Sequence, residues 1–368
     1  MGMTPGIRRA GHVNRHVIPV GVAGVLVMFS GCGLTGPPAS TTTASSEVKT
    51  TPPSGPATMV SEEQAYERVI AQVLPSIVQI NTQGGLGSGV VYDTDGHIVT
   101  NAHVVGKATT FEVTLATGGK PRKAVLVSSY PLGDLAVIRV SDRSGLAPAT
   151  FGDSTKLKVG QIVLAMGNPL GLSGSVTNGI VSALGRTVTE PQGEGSPGAT
   201  ITNAIQTSAA INPGNSGGAL TNLSGEVIGV PTLAAINPEL GGGTAPGIGF
   251  AIPSSTAKDV AEQIIRNGKV VNTRRAALGV RVNTVVGPDG QPVGVGVAMV
   301  DAGSGAAKAG MKAGDIILSV NQKSTPTAAA LSEVLANLKP GEQAKVEILH
   351  PNGKTQSVNV TLGTLSGN

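Results

Sequence analysis

Aromatic residues are scarce in this chain of 368: there is no Trp, and there are only four Phe and three Tyr. That scarcity removes the ring platforms on which single-stranded nucleic acid stacks. Charge is scarce as well, at 13%, with 26 Lys and Arg against 22 Asp and Glu. Three of the positive residues, Arg8, Arg9 and Arg15, fall in the first 31 residues, which hold no Lys, Asp or Glu; the remainder is nearly balanced and carries no basic footprint for nucleic acid. A single Cys excludes an internal disulfide framework. Five His without paired ligand spacing argue against a metal centre, no nucleotide-binding loop is present, and no cofactor is expected. What the chain has in excess is Gly, 53, and Pro, 24, with no collagen period, in a length that predicts two or three loop-rich domains.

The basic residues of positions 1–16 precede an apolar run, Val17 to Phe29, that ends in Ser30, Gly31 and Cys32. This order is that of a secretory signal peptide, and the run is too short and too rich in Gly and Pro for a membrane span. The ending FSGC resembles the lipobox of bacterial lipoproteins. The resemblance implies cleavage after residue 31, acylation of Cys32 and an exported protein anchored to the outer face of a bacterial membrane; a cut elsewhere, with Cys32 a stray thiol, is the alternative. Residues 32–59 are dominated by Pro, Ser, Thr and Gly, bury almost nothing, and read as a disordered tether with an r.m.s. reach of roughly 25–30 Å.

From residue 60 a helical pattern with Tyr66, Val69, Ile70 and Val73 on one face gives way to short strand-like runs. Among them are Ser76 to Asn81, Gly89 to Tyr92, His97 to Thr100, Lys123 to Val127, Leu135 to Val140, Ile162 to Met166 and Val227 to Val230, punctuated by Gly, Pro, Asn and Asp. Such spacing predicts an all-β sandwich or barrel. Ser254 or Ser255 is placed to cap a closing helix that runs to Asn267 and stops at Gly268, with Val260, Ile264 and Ile265 inward.

Three local sequences in this body carry chemistry: TNAHVV with His103, GDLAVI with Asp134, and AAINPGNSGGAL with Ser216. A serine hydroxyl needs a neighbouring base to become a nucleophile. Histidine titrates in the right range, and a carboxylate on its other nitrogen fixes the tautomer and steadies the imidazolium. Ser216 is therefore read as nucleophile, His103 as general acid and base, and Asp134 as orienter. The N–H groups of Gly214 and Ser216 are the candidate oxyanion hole, since Gly permits the turn that aims them inward, and Pro213 helps hold that turn. His97 and His350 lack the flanks of His103, and Asp93, Asp95 and Asp153 read as turn residues.

These motifs, with Gly247 to Pro253 and the domain that follows, resemble the HtrA/Deg family of chymotrypsin-fold serine proteases over about residues 60–364. The resemblance implies a mainly β protein: a double β-barrel over residues 60–268 with its active site in the cleft, then an α+β PDZ domain. It also implies cleavage of unfolded or misfolded envelope proteins and a homotrimer formed near the start of the protease body, where Tyr66 is the available aromatic.

Enzymes of that fold that cut after basic residues place an acid six residues before the nucleophile. Here Ala210 stands there, followed by Ile211, and the bordering strand reads Gly229-Val230-Pro231-Thr232; the expectation is a small apolar pocket for Val, Ala or Ile. Asn215 stands where digestive relatives have an Asp that pairs with a freed N-terminus, so activation of that kind is not expected. Activity would depend instead on loop ordering at roughly residues 168–177, 189–199 and 234–245. Ser208 replaces an Asp common in the family, which bears on how those loops are tuned.

Beyond a linker at Lys269 to Arg275, residues 274–364 combine strands at Leu278 to Val282 and Gly294 to Val300, a helix at Ala328 to Leu338, and a hairpin turned by Asn352-Gly353. AAKAGMKAGDIILSVN resembles the central signature of PDZ domains. The resemblance makes Leu278, Gly279 and Val280 the loop that captures a peptide C-terminal carboxylate, with Leu331 and Leu335 in the groove or the core. The alternatives are a PDZ domain that only packs on the protease, and a whole molecule that is a binding protein, a PDZ adaptor or holdase on a protease scaffold.

Overall fold

The computed structural model describes residues 57–82, 85–168, 175–190, 199–212, 214–237 and 243–367. The expected signal peptide, Cys32, most of the tether, Pro213 and the middles of the three expected loops lie outside them.

Helix α1 (Ala57–Val73) leads into a closed barrel of six strands, β1 (Ile77–Thr82), β2 (Gly85–Val91), β3 (His97–Thr100), β4 (Thr110–Leu115), β5 (Arg122–Tyr130) and β6 (Leu135–Val140), paired in the order β1-β2-β3-β6-β5-β4. A second closed barrel follows from β7 (Ile162–Gly167), β8 (Ser175–Glu190), β9 (Ala199–Thr207), β10 (Ala219–Thr221), β11 (Val227–Asn237) and β12 (Gly243–Pro253), in the order β10-β11-β12-β9-β8-β7. The sequence expectation of barrels from short strands holds.

The two-residue side-chain period explains why several strands read as unbroken apolar runs. On β6, Ala136, Ile138 and Val140 fill the first barrel, while Leu135 and Val137 face outward onto the second barrel and the helix that follows β12. On β7, Val163 and Ala165 line the second barrel, and Leu164 and Met166 pack against Val69 and Val73 of α1. Each such strand is buried on both faces, so alternation disappears.

Helix α3 (Ser254–Asn267) closes the seam with Ala257, Val260, Ala261 and Ile264. Burying a side chain such as Ile264 stabilises by about 1.5–3 kcal/mol. The expected serine cap is corrected: Pro253 occupies the cap position with no side-chain hydrogen bond. Ser254 is instead inside the helix, fully buried, and its Oγ donates to the Gly152 carbonyl at 2.8 Å. That bond joins α3 to the loop between the barrels. Gly268, with φ 71°, ends the helix as expected.

The segment read as a linker is clamped. Gln263 Oε1 accepts from the N–H groups of Val271 and Asn272 at 3.0 and 2.8 Å, and Arg274 makes a two-point pair with Asp259 at 2.7 and 3.0 Å. Arg275 then donates to the carbonyl of Leu132 at 2.9 Å.

Beyond it, β13 (Ala276–Ala277) pairs β20 (Gly363–Thr364). The main sheet runs β14 (Val280–Val286), β15 (Pro292–Val300), β16 (Ile316–Val320), β18 (Gln343–Leu349), β19 (Thr355–Thr361), with β17 (Lys323–Ser324) on β16. Helices α4 (Gly305–Lys308) and α5 (Ala328–Ala336) cover it, and Val295, Ile317, Leu331, Val346 and Val360 belong to one core. Among the described residues no helix is long and apolar enough to cross a membrane.

Candidate active site

His103 sits on a single helical turn, α2 (Ala102–Val105), entered from the end of β3 through extended Asn101. Gly106, at φ 52°, ends it. Asn101 spends its side chain elsewhere: Nδ2 donates to the Asp134 carbonyl at 2.9 Å. The two turns are thereby held together before their side chains meet.

Asp134 follows a 3-10 turn, Pro131–Gly133, and is left-handed at φ 51°, ψ 42°. A non-glycine residue there is under modest strain of the sort that collects at functional sites. Its side chain is buried. Oδ1 and Oδ2 lie 3.0 and 2.9 Å from His103 Nδ1, and Oδ1 accepts the His103 backbone N–H at 3.0 Å. The Thr232 hydroxyl donates to Oδ2 in a close contact. The tautomer that carries its hydrogen on Nδ1, facing the carboxylate, has on Nε2 the lone pair that a general base requires.

Ser216 belongs to the turn between β9 and β10. Its Oγ donates to the carbonyl of Thr232, on β11, at 2.9 Å. Thr232 thus touches Asp134 with its hydroxyl and Ser216 with its carbonyl, and its bond to Asp134 spans the two barrels. Gly214 has φ 107° and Gly217 φ 80°, the left-hand region that Gly tolerates. A Cβ at Gly217 would strike the Ser88 carbonyl and Thr100 Oγ1, so the serine turn lies directly on the strand end that presents His103. The structure therefore brings all three sequence-read residues to one place.

Asn215 is buried, and its amide donates to the Ala210 carbonyl at 3.2 Å, which also accepts from Thr177 Oγ1 at 2.8 Å. An amide here ties the serine turn to the segment before it without any ion pair. Ser208 Oγ accepts the Ile180 N–H at 3.0 Å, so the Asp-to-Ser difference is used to hold β8.

Of the three residues read as the specificity pocket, Ala210 is exposed, Ile211 is mostly buried in the second barrel against a clearance left by Gly249, and Val230 is fully buried with Ile201, Ala204 and Ile252. Val230 presents no surface to a substrate, being buried in the same cluster as Ala257 and Val260 of α3. Tyr66, half-buried on its own domain, donates to Glu62 at 2.5 Å, a bond that with burial pushes its phenol above the usual value.

His97 and His350 are each paired with a carboxylate, Asp93 and Asp315, at 2.7 Å. In the PDZ-like domain, Gly279 has φ 79° and a Cβ there would meet Ser304, so only Gly fits the turn. A groove of about 440 Å³ is lined by Leu278, Gly279, Val280, Val282, Leu331 and Leu335. Leu331 is both core and groove floor; Leu335 is half-buried at the rim.

Sequence reading missed the role of Thr232, a hydroxyl inside the apolar run GVPTL, and of Asn101 beside the histidine. It also missed Ser88, set between two glycines of a strand. Glycine within a strand signals a close backbone approach, and that was the available clue.

Two six-stranded barrels that join a His–Asp pair to a serine turn define a trypsin-like serine peptidase. Residues 87–230 match the family model of the trypsin-like peptidase domain, and residues 276–362 that of the PDZ domain. The serine protease PepD of Mycobacterium tuberculosis is 36% identical over 97% of this chain and 78% of its own length. The periplasmic pH-dependent serine endoprotease DegQ of Escherichia coli is 41% identical over 76% of this chain, which spans only 60% of DegQ. Among solved structures, the HtrA-type protease AlgW with a decapeptide aligns with TM-score 0.54 and 30% identity, over 82% of this chain and 98% of that one. The chain belongs to the HtrA family of serine endopeptidases, as a trypsin-like domain followed by a PDZ domain.

Proposed function

We propose that the protein is an exported endopeptidase that cleaves unfolded or misfolded proteins of the cell envelope through an acyl-enzyme formed on Ser216. The observation that carries the reading is the chain of contacts from His103 through Asp134 and Thr232 to Ser216. The Ser216 hydroxyl leaves the Thr232 carbonyl, gives its proton to His103 Nε2 as its oxygen attacks the scissile carbonyl, and the imidazolium returns that proton to the leaving amine. The Thr232 carbonyl, once released, is free to accept a hydrogen bond from the substrate backbone. Gly214 and Ser216 N–H groups meet the oxyanion, a role worth about 2.7–4 kcal/mol per donor in such sites.

Ala210 and Ile211 favour a small aliphatic residue before the scissile bond. The groove beside Leu278, Gly279 and Val280 takes peptide C-termini and either feeds substrate or adjusts activity; an HtrA-type relative solved with a decapeptide supports peptide binding. Relatives named periplasmic support export. Lipid anchoring through Cys32, a tether over 32–59, domains at 60–268 and 274–364, and a homotrimer complete the proposal.

Fluorophosphonate labelling of the purified protein tests it against Ser216→Ala and His103→Ala. Labelling confined to the unsubstituted protein is expected. Equal labelling of Ser216→Ala would end the assignment, and no labelling of any form, even with unfolded protein or hydrophobic C-terminal peptides added, would favour a PDZ adaptor on a protease scaffold.

A further inference from the structure

We propose that Ser88, a residue of the first barrel, is a positioning residue for the oxyanion hole of the second: its hydroxyl pins the peptide plane that separates the two N–H donors. The inference rests on Ser216 being the nucleophile.

Ser88 lies on β2 and is fully buried. A serine hydroxyl has one proton to give and lone pairs to accept with, and both capacities are used. The proton goes to the Gly214 carbonyl in a close contact, and the oxygen accepts the Asn168 N–H at 2.8 Å. The Ser88 backbone adds a second grip on the same turn, its N–H donating to the Ser216 carbonyl at 3.0 Å. The Ser88 carbonyl in turn accepts from Thr100 Oγ1 at 2.7 Å, on the strand that leads to His103. One residue thus holds two carbonyls of the serine turn, the end of β7 and the histidine strand.

The geometry of the turn gives this grip its consequence. The candidate donors, Gly214 N–H and Ser216 N–H, belong to the peptide units 213–214 and 215–216. Between them stands the unit 214–215. Its carbonyl is held by Ser88, and its N–H, that of Asn215, donates to the Asn212 carbonyl at 3.0 Å. The next unit is held through the Asn215 carbonyl, which accepts from Gly218 at 2.9 Å. With the middle plane fixed at both ends, only the two backbone torsions of Gly214 stand between it and the Gly214 N–H. Loss of the hydroxyl strands a carbonyl and releases that plane, and the Gly214 N–H turns with it. Oxyanion stabilisation depends on donors already in place, so a plane that turns costs rate rather than binding.

The surrounding glycines keep the arrangement possible. A Cβ at Gly87 would strike Val104, one at Gly89 would strike Ile98, and one at Gly167 would lie 2.7 Å from the Gly214 carbonyl oxygen and 2.9 Å from Ser88 Oγ. Gly167 therefore provides an independent handle: an added methyl crowds the same carbonyl together with Ser88 Oγ and Asn215 Cα.

The test uses Ser88→Ala in the purified full-length protein, with kcat expressed per fluorophosphonate-titratable site. It also measures KM on a fluorogenic peptide with an aliphatic residue before the scissile bond, and affinity for a peptide boronic acid of the same sequence, which forms a tetrahedral adduct. The expected result is kcat lower by roughly 10- to 100-fold, KM within about twofold, and boronate affinity weaker by about the same factor as kcat. Thr221→Val removes a buried hydroxyl of the second barrel that donates to the Leu164 carbonyl at 3.3 Å; it should lower the melting temperature and leave kcat per site unchanged. Gly167→Ala should reproduce the Ser88→Ala signature, and decides the matter if Ser88→Ala does not fold. Unchanged kcat and boronate affinity per site in either variant would overturn the proposal. Proteolysis surviving in Ser216→Ala would instead show that the nucleophile was misassigned.

Discussion

The pairs His103–Asp134 and His350–Asp315 are nearly alike within themselves. Their closest contacts are 2.9 and 2.7 Å, both imidazoles are 23% exposed, and both carboxylates are buried. They differ in what surrounds them. Asp315 uses its second oxygen to accept the Lys312 N–H at 2.8 Å, and His350 Nε2 lies 2.9 Å from Gln356 Oε1, so that pair is a brace across the PDZ hairpin. Asp134 instead receives the Thr232 hydroxyl from the other barrel, and the same Thr232 holds the Ser216 hydroxyl. A histidine and a carboxylate in contact make a rigid unit; chemistry requires a nucleophile within reach and a second domain to bring it.

The strongest break in the comparison comes from the carboxylates. Asp134→Asn should lower kcat/KM by about 10⁴-fold, because the amide supports the wrong imidazole tautomer. Asp315→Asn should leave cleavage of a short peptide within about twofold, measured on the same day with the same substrate. Activity of Asp134→Asn above a tenth of the parent would remove Asp134 from the mechanism.

Thr232→Val asks how much of the difference between the pairs lies in their third partner. The hydroxyl bonds a carboxylate, and such hydrogen bonds contribute about 1.5–3 kcal/mol, so kcat should fall roughly 10- to 100-fold with the backbone carbonyl still in place. A titration of kcat against pH accompanies it. If Thr232→Val leaves kcat and its pH profile unchanged, the cross-barrel bond is structural only.

Much of this was legible in the sequence because its cause is local. The Leu135 to Val140 strand was read to the residue, since apolar β-branched runs bounded by turns have few other fates, and Gly268 announced the end of α3. His103, Asp134 and Ser216 stood out by residue type and flanks. What could not be read depends on contacts between distant segments. Thr232 reaches Asp134 across 98 positions and Ser88 reaches Gly214 across 126, and neither pairing leaves a trace in local pattern. Val230 was misjudged for the same reason: a Val on a strand beside the pocket reads identically whether it faces the pocket or the core. Ser254 satisfied the local residue rule for a cap, but the cap position falls on Pro253, and the Ser254 hydroxyl, already inside the helix, donates to the Gly152 carbonyl of a segment 102 positions away.

The smallest expected effect belongs to the PDZ brace and is a matter of pH. The Gln356 oxygen and then the Asp315 carboxylate both favour protonated His350 and raise its pKa above the ordinary value, against the opposing pulls of burial and the Lys312 charge. A neutral imidazole has one N–H and cannot donate to both acceptors; the imidazolium can. The folded state thus binds the proton more tightly than the unfolded chain, so the brace contributes fully below about pH 6.5 and its contribution is lost as pH rises through the folded value. In a Ser216→Ala background, which prevents self-digestion, the melting temperature of the parent should exceed that of His350→Gln at pH 5.5 by no more than about 2 °C. The gap should narrow steadily towards pH 8.5. A gap that widens with pH would mean that His350 is held neutral and that the brace takes up no proton on folding.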